Sequence, residues 1–216
     1  MRGPVVSIRI NDLIAFLSTK RDGSLTSKYM ELHAAVIMAK FHSKQTGEEH
    51  WIGFPAKEKK RRDFDQVPAM DDFDEVLKKF VEEDSPNDLF LIPESHVENR
   101  TNDIPKGNAF QLKRMLTQNP EDSLEDHIVE YINTVIPKKY AKATHTSLVL
   151  LLSTKFSGEG QINVKNVRDR INPVNFPFDR IMIVSAEGED RMVVGEIWPE
   201  FGAVYYTKEQ LESLHG

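Results

Sequence analysis

The chain has 216 residues, 39% of them hydrophobic and 29% charged, with a formal net charge of −6 and no cysteine. That length and balance suit a single domain over 1–216 with a sizeable core, and they exclude a disordered polymer. The missing cysteines exclude disulfides, thiolate nucleophiles and zinc–thiolate centres, and point to a reducing, cytoplasmic setting.

In chain order, Met1-Arg2-Gly3-Pro4-Val5 lacks a basic stretch followed by an apolar one, so no signal peptide is expected. Residues 10–20 read as a short helix, with Asn11 as N-cap ahead of Leu13, Ile14 and Leu17. Arg21-Asp22-Gly23-Ser24 breaks it. A longer helix over 27–43 carries an apolar stripe of Met30, Ala34, Ile37 and Phe41. Trp51-Ile52-Gly53-Phe54 reads as the first strand, closed by Pro55. The basic run from Lys57 to Arg62 is expected in a solvated loop, followed by an amphipathic helix over 72–83 and a turn at Ser85-Pro86-Asn87.

Leu89-Phe90-Leu91-Ile92 is expected as a buried strand and 94–108 as a polar loop. Ala109 to Met115 is a further strand. Pro120 and Glu121 mark a helix start, with Leu124, Ile128, Tyr131 and Ile132 along it and Pro137 at its kink or end. Leu148 to Leu152 reads as a central strand and is also the longest apolar run, far too short to cross a bilayer. A helix over 164–171, strands over 181–184 and 192–198 and a helix over 208–214 complete the chain. Buried strands alternating with helices define an α/β fold, a mixed central sheet flanked by helices.

The net charge hides a local imbalance. Residues 63–84 hold nine acidic side chains against Lys78 and Lys79, so this segment alone carries −7. The rest of the chain is close to neutral, and overall acidity does not exclude nucleic acid as a partner.

On the strand at 109–115, residues two apart share a face, so Gln111 and Lys113 converge while Phe110 and Leu112 turn the other way. An amide and an amine side by side in an apolar strand line either a wet cleft edge or a site. Asp88 opens the preceding strand. Its carboxylate, the Gln111 amide oxygen and the Leu112 carbonyl are hard oxygen donors of the kind Mg²⁺ prefers. Lys113 is then placed to orient an attacking water or to offset charge on a phosphorane. Asp103, and the pair Asp63 and Asp65, are competing acidic positions.

Pro86-Asn87-Asp88 followed by Gln111-Leu112-Lys113 resembles the PD-(D/E)XK phosphodiesterase superfamily, in its variant with glutamine at the acidic position. The resemblance covers 26–155 and implies a restriction-endonuclease-like αβββαβ core with an inserted helix. A charged insertion occupies 55–87, and a C-terminal α/β extension with extra strands occupies 156–216. It also implies a Mg²⁺ (or Mn²⁺) ion. Asp88 and Gln111 would be ligands, Lys113 the catalytic lysine, and Glu31, in Tyr29-Met30-Glu31-Leu32, an auxiliary ligand on the first core helix.

The implied activity is hydrolysis of DNA in bacterial or phage defence or in DNA repair. Lys59, Lys60, Arg61, Arg62, Lys106 and Arg114 would meet phosphates. The alternative is the same scaffold without catalysis, a regulatory subunit that binds a protein partner or a second copy of itself. No zinc spacing occurs, since His33 and His42 are nine residues apart on one helix, and there is no phosphate-binding glycine loop.

Overall fold

The computed structural model describes residues 5–19, 27–57, 62–64, 88–99, 105, 108–115, 123–140, 146–152, 162–172, 176–187, 191–207 and 209–210. The expected acidic helix at 72–83, the turn at 85–87 and most of the expected helix at 208–214 lie outside them. The chain divides into two compact units, 1–110 and 111–214, with the boundary inside one strand. Both units are α/β. Among the described residues no helix is long and apolar enough to cross a membrane.

In the first unit, β1 (Val5–Arg9) leads directly into α1 (Ile10–Thr19), and α2 (Ser27–Thr46) follows. Then come β2 (His50–Pro55), β3 (Arg62–Phe64), β4 (Leu89–Pro93) and α3 (Glu94–Glu98). The first two residues of β5 (Ala109–Met115) close the unit. The strand order is β3-β1-β2-β4-β5. β1 pairs antiparallel with β2 and parallel with β3. β2 pairs antiparallel with β4, which pairs antiparallel with β5 through Leu89 opposite Phe110.

All six residues of β2 and all five of β4 are buried. Both are interior strands, and covered interior strands read as unbroken apolar runs. α2 is buried far beyond the expected stripe. Leu32, Ala35, Val36, Met38 and Ala39 join Ala34, Ile37 and Phe41 in the core. The stretch 34–39 is buried without a break, and the polar residues gather toward the helix end.

Several sequence expectations need correction here. Asn11 lies inside α1 rather than capping it, because β1 runs into the helix without a break. Arg62 and Asp63 belong to β3 rather than to a loop, held by parallel pairing with Val6 and Ser7. The polar segment after Pro93 begins with the short helix α3, whose last turn is closed by the Asn99 N–H donating to the Ser95 carbonyl at 3.1 Å.

In the second unit β5 continues from Gln111. α4 (Leu124–Glu130) passes into a π-helical turn, Tyr131–Val135, and then into α5 (Ile136–Lys139). β6 (Thr146–Leu152), α6 (Val164–Arg170), β7 (Arg180–Glu187), β8 (Arg191–Trp198) and β9 (Gly202–Thr207) complete it. The order is β5-β6-β7-β8-β9, with β6 and β7 parallel and the last two pairs antiparallel. α6 is the helix of the crossover that parallel neighbours require. Pro137 opens α5 rather than ending a helix, where its missing N–H does no harm.

α4 starts later than Pro120 suggests. Ser123 is its N-cap, the hydroxyl accepting from the Asp126 N–H at 3.3 Å. Ile128, Ile132 and Ile136 then recur four apart and pack with Leu148, Leu150, Leu152, Ile181 and Ile183 in one core. Polar side chains tie α4 and the π turn to α6. Glu125 accepts from the Asn163 N–H at 2.6 Å and from the Asn166 amide, and Arg170 pairs with Asp126 at 2.5 Å. Asn133 donates to the Arg170 carbonyl at 3.1 Å and accepts from the Asn172 N–H at 2.8 Å.

Gly53 sits where β2 meets β4. A Cβ there would lie 2.5 Å from Ile92 Cδ1 and 3.2 Å from its Cγ1. Gly53→Ala is expected to lower stability by about 1–3 kcal/mol through overpacking, measured by urea denaturation. Ile92→Val removes the clashing Cδ1, so the double variant should lose less than the sum of the two single changes. Simple additivity would contradict the close approach.

Candidate functional site

β5 is the segment on which the sequence places the candidate chemistry, at Gln111 and Lys113. Its boundaries agree with the sequence expectation, but its environment differs. Phe110 and Leu112 are buried as expected, and Gln111 is buried too, at 8% exposure. The expected wet face is absent at Gln111, since an interior strand is covered on both sides. Burial relaxes only at Lys113 and Arg114, both half-buried, before Met115 returns to the core. The Gln111 amide nitrogen reaches the Leu112 carbonyl at 3.5 Å, a long contact at the limit of a hydrogen bond.

The Lys113 ammonium lies 5.6 Å from the ring centroid of Tyr131, within cation–π range. Tyr131 is buried and is the first residue of the π-helical turn. Arg114, expected among the phosphate contacts, is half-buried, and its Nε is buried without a hydrogen-bond partner.

The two carboxylates of the expected site belong to the first unit. Glu31 is half-buried in α2 beside the buried Leu32. Asp88 is half-buried immediately before β4, and its N–H donates to the Phe110 carbonyl at 2.9 Å. This bond extends the β4–β5 ladder by one residue and orients Asp88. Arg62 and Asp63 lie in β3. Lys59, Lys60, Arg61, Asp65, Asp103 and Lys106 fall outside the described residues.

Glu31 and Asp88 in the first unit, and Gln111 and the Leu112 carbonyl in the second, are each oxygen donors, of the kind a hard divalent cation takes and a thiophilic one does not. Among the described residues no group of three or more His, Cys, Asp or Glu is gathered for a metal.

A second polar cluster was not anticipated from the sequence. In the first unit, His42 Nε2 meets Asn108 Oδ1 at 3.0 Å, and the Asn108 amide nitrogen donates to the Leu91 carbonyl at 2.9 Å. The Leu91 N–H returns a bond to the Asn108 carbonyl at 2.8 Å. His50 Nδ1 lies 2.8 Å from the Glu48 carbonyl and 3.2 Å from Ser43 Oγ. The two imidazoles meet edge to face with centroids 4.8 Å apart. A carbonyl only accepts, so neutral His50 carries its proton on Nδ1. That nitrogen cannot act as a base toward Ser43, which rules out an activated serine.

Comparison with family models, with curated proteins and with solved structures returns no match.

Asn108 is 4% exposed and serves Leu91 and His42 together. Asn108→Ala leaves both groups wanting a partner and is expected to destabilise by about 2–4 kcal/mol. Chemical denaturation checks it. A loss below about 0.5 kcal/mol would mean that these bonds contribute nothing net.

Proposed function

We propose that this chain is a metal-dependent phosphodiesterase acting on DNA, built on a restriction-endonuclease-like core. The single observation that carries it is the polar pair on β5. Gln111 is 8% exposed, and the half-buried Lys113 holds its ammonium against Tyr131. On a strand whose other inward side chains are apolar, a buried amide followed two residues on by a lysine is an unusual pair, because burying a polar group costs unless it is hydrogen-bonded.

The succession of elements also supports the core. α2 precedes β2, β4 and β5, which neighbour one another, and α4 with α5 then leads to β6 beside β5. The π-helical turn at Tyr131 is a further pointer, because such turns recur at functional sites.

In this proposal Asp88, Gln111 and the Leu112 carbonyl hold Mg²⁺ or Mn²⁺, with Glu31 as the auxiliary ligand. A bound ion of this kind supplies Lewis-acid activation and charge neutralisation at a phosphodiester. Lys113 offsets negative charge on the phosphoryl oxygens or orients the attacking water. Tyr131 limits the swing of the lysine, so that its donor is set before substrate arrives. Basic side chains from the run ending at Arg62, together with Arg114, meet backbone phosphates.

Lys113→Ala should reduce Mg²⁺-dependent cleavage of a DNA substrate by about 10²-fold or more and leave the denaturation midpoint nearly unchanged. Cleavage at the wild-type rate in that variant would refute the assignment. A wild-type protein that folds and cuts no nucleic acid with either ion would instead identify the scaffold as a regulatory or protein-binding subunit.

A further inference from the structure

We propose that His42 and His50 form an acid-sensitive latch, a pair of neutral rings that fastens the end of α2 to β2, β4 and the approach to β5 and releases them on protonation. It is independent of any phosphodiesterase activity and lies wholly within the first unit.

The geometry fixes both tautomers. The Asn108 amide nitrogen faces the Leu91 carbonyl, so its oxygen is an acceptor and the His42 nitrogen 3.0 Å away must donate. Neutral His42 thus carries its proton on Nε2, while neutral His50 carries its own on Nδ1 and points it at the Glu48 carbonyl. Each ring has one N–H, and each N–H is used to join elements distant in sequence or to close the turn between α2 and β2. His42 and Asn108 are 66 residues apart.

A proton added to His50 goes onto Nε2. It places a full charge on a residue that is 3% exposed, beside a second imidazole 4.8 Å away. Two cations at that spacing repel, so charging both rings is disfavoured.

Among the described residues, the Glu48 carbonyl that accepts from His50 Nδ1 favours the protonated ring and opposes the effect of burial. On the turn, Glu48 favours the protonated ring, but its carboxylate is drawn off by Ser95, whose hydroxyl and N–H both donate to it. From α3, His96 acts on Glu48 as well. On α2, Lys40 is coupled to Glu49, and Lys44 adds a further positive charge near the helix end. β4 and Asn108 contribute no titratable side chain. Burial is the dominant effect on His50 and pushes its pKa below the ordinary histidine value. The neutral form is thus the one the fold favours. The latch contributes its full stabilisation above about pH 6.5, where histidine in the unfolded chain is neutral. That stabilisation is lost progressively as pH falls through the lower folded-state value.

The test compares the wild type with a His42→Gln/His50→Asn variant. The glutamine nitrogen reaches the place of Nε2 and the asparagine nitrogen that of Nδ1, so the N–H donors remain and the titration disappears. Urea midpoints are measured at about pH 7.5 and about pH 5.5, bracketing histidine's usual range. The other five histidines are common to both proteins and cancel in the difference. The wild-type midpoint should fall on acidification, and the variant should lose at least half of that fall. An equal fall in both proteins overturns the latch. Should the variant fail to fold, the wild-type histidine ring protons are followed by NMR through the same range. A His50 ring titrating below about 6.5 supports the latch, and one titrating at or above that value overturns it.

Discussion

An interior strand has no water with which to satisfy its side chains, and that constraint governs how β5 is read. Phe110, Leu112 and Met115 meet it by being apolar. Gln111 meets it partly through its own neighbour, at the long distance of 3.5 Å to the Leu112 carbonyl. Lys113 meets it by laying its ammonium against the Tyr131 ring at 5.6 Å. A buried amide and, two residues on, a lysine held against an aromatic ring on one strand are the reason for proposing a task for β5.

The same strand marks the division of the chain into two units. Asp88 and Phe110 close the β4–β5 ladder on one side of the boundary. On the other, Lys113 and Tyr131 tie β5 to the helical segment whose Ile128, Ile132 and Ile136 pack on β6 and β7. Gly53 performs a comparable service between β2 and β4, where only a hydrogen leaves room for Ile92.

Much of the fold was legible because local pattern and burial agree. Leu89–Pro93 and Thr146–Leu152 are apolar runs with turn-forming residues or proline near them, and they are buried strands, while Ala109–Met115 was legible from its apolar Phe110, Leu112 and Met115. What escaped depends on distant partners. Val5–Arg9 alternates apolar and polar residues too briefly to stand out, and becomes a strand through β2 and β3. Arg62–Phe64 reads as the end of a basic run until β1 pairs with it. Gly202–Thr207 is an exposed edge strand whose only described pairing is with β8. The acid, amide and lysine of the candidate site were legible as residue types, and their burial was not. The His42–Asn108–His50 cluster was invisible for the same reason, since nothing local joins residue 42 to residue 108.

The most direct measurement is calorimetric titration of the pure protein with Mn²⁺ or Mg²⁺, set beside the same titration of Gln111→Leu. If β5 presents an oxygen ligand to an ion, the wild type gives saturable heat and the leucine variant, which keeps an apolar core strand, loses most of it. Identical isotherms for the two proteins, or a wild type that takes up neither ion, would contradict a metal site on this strand.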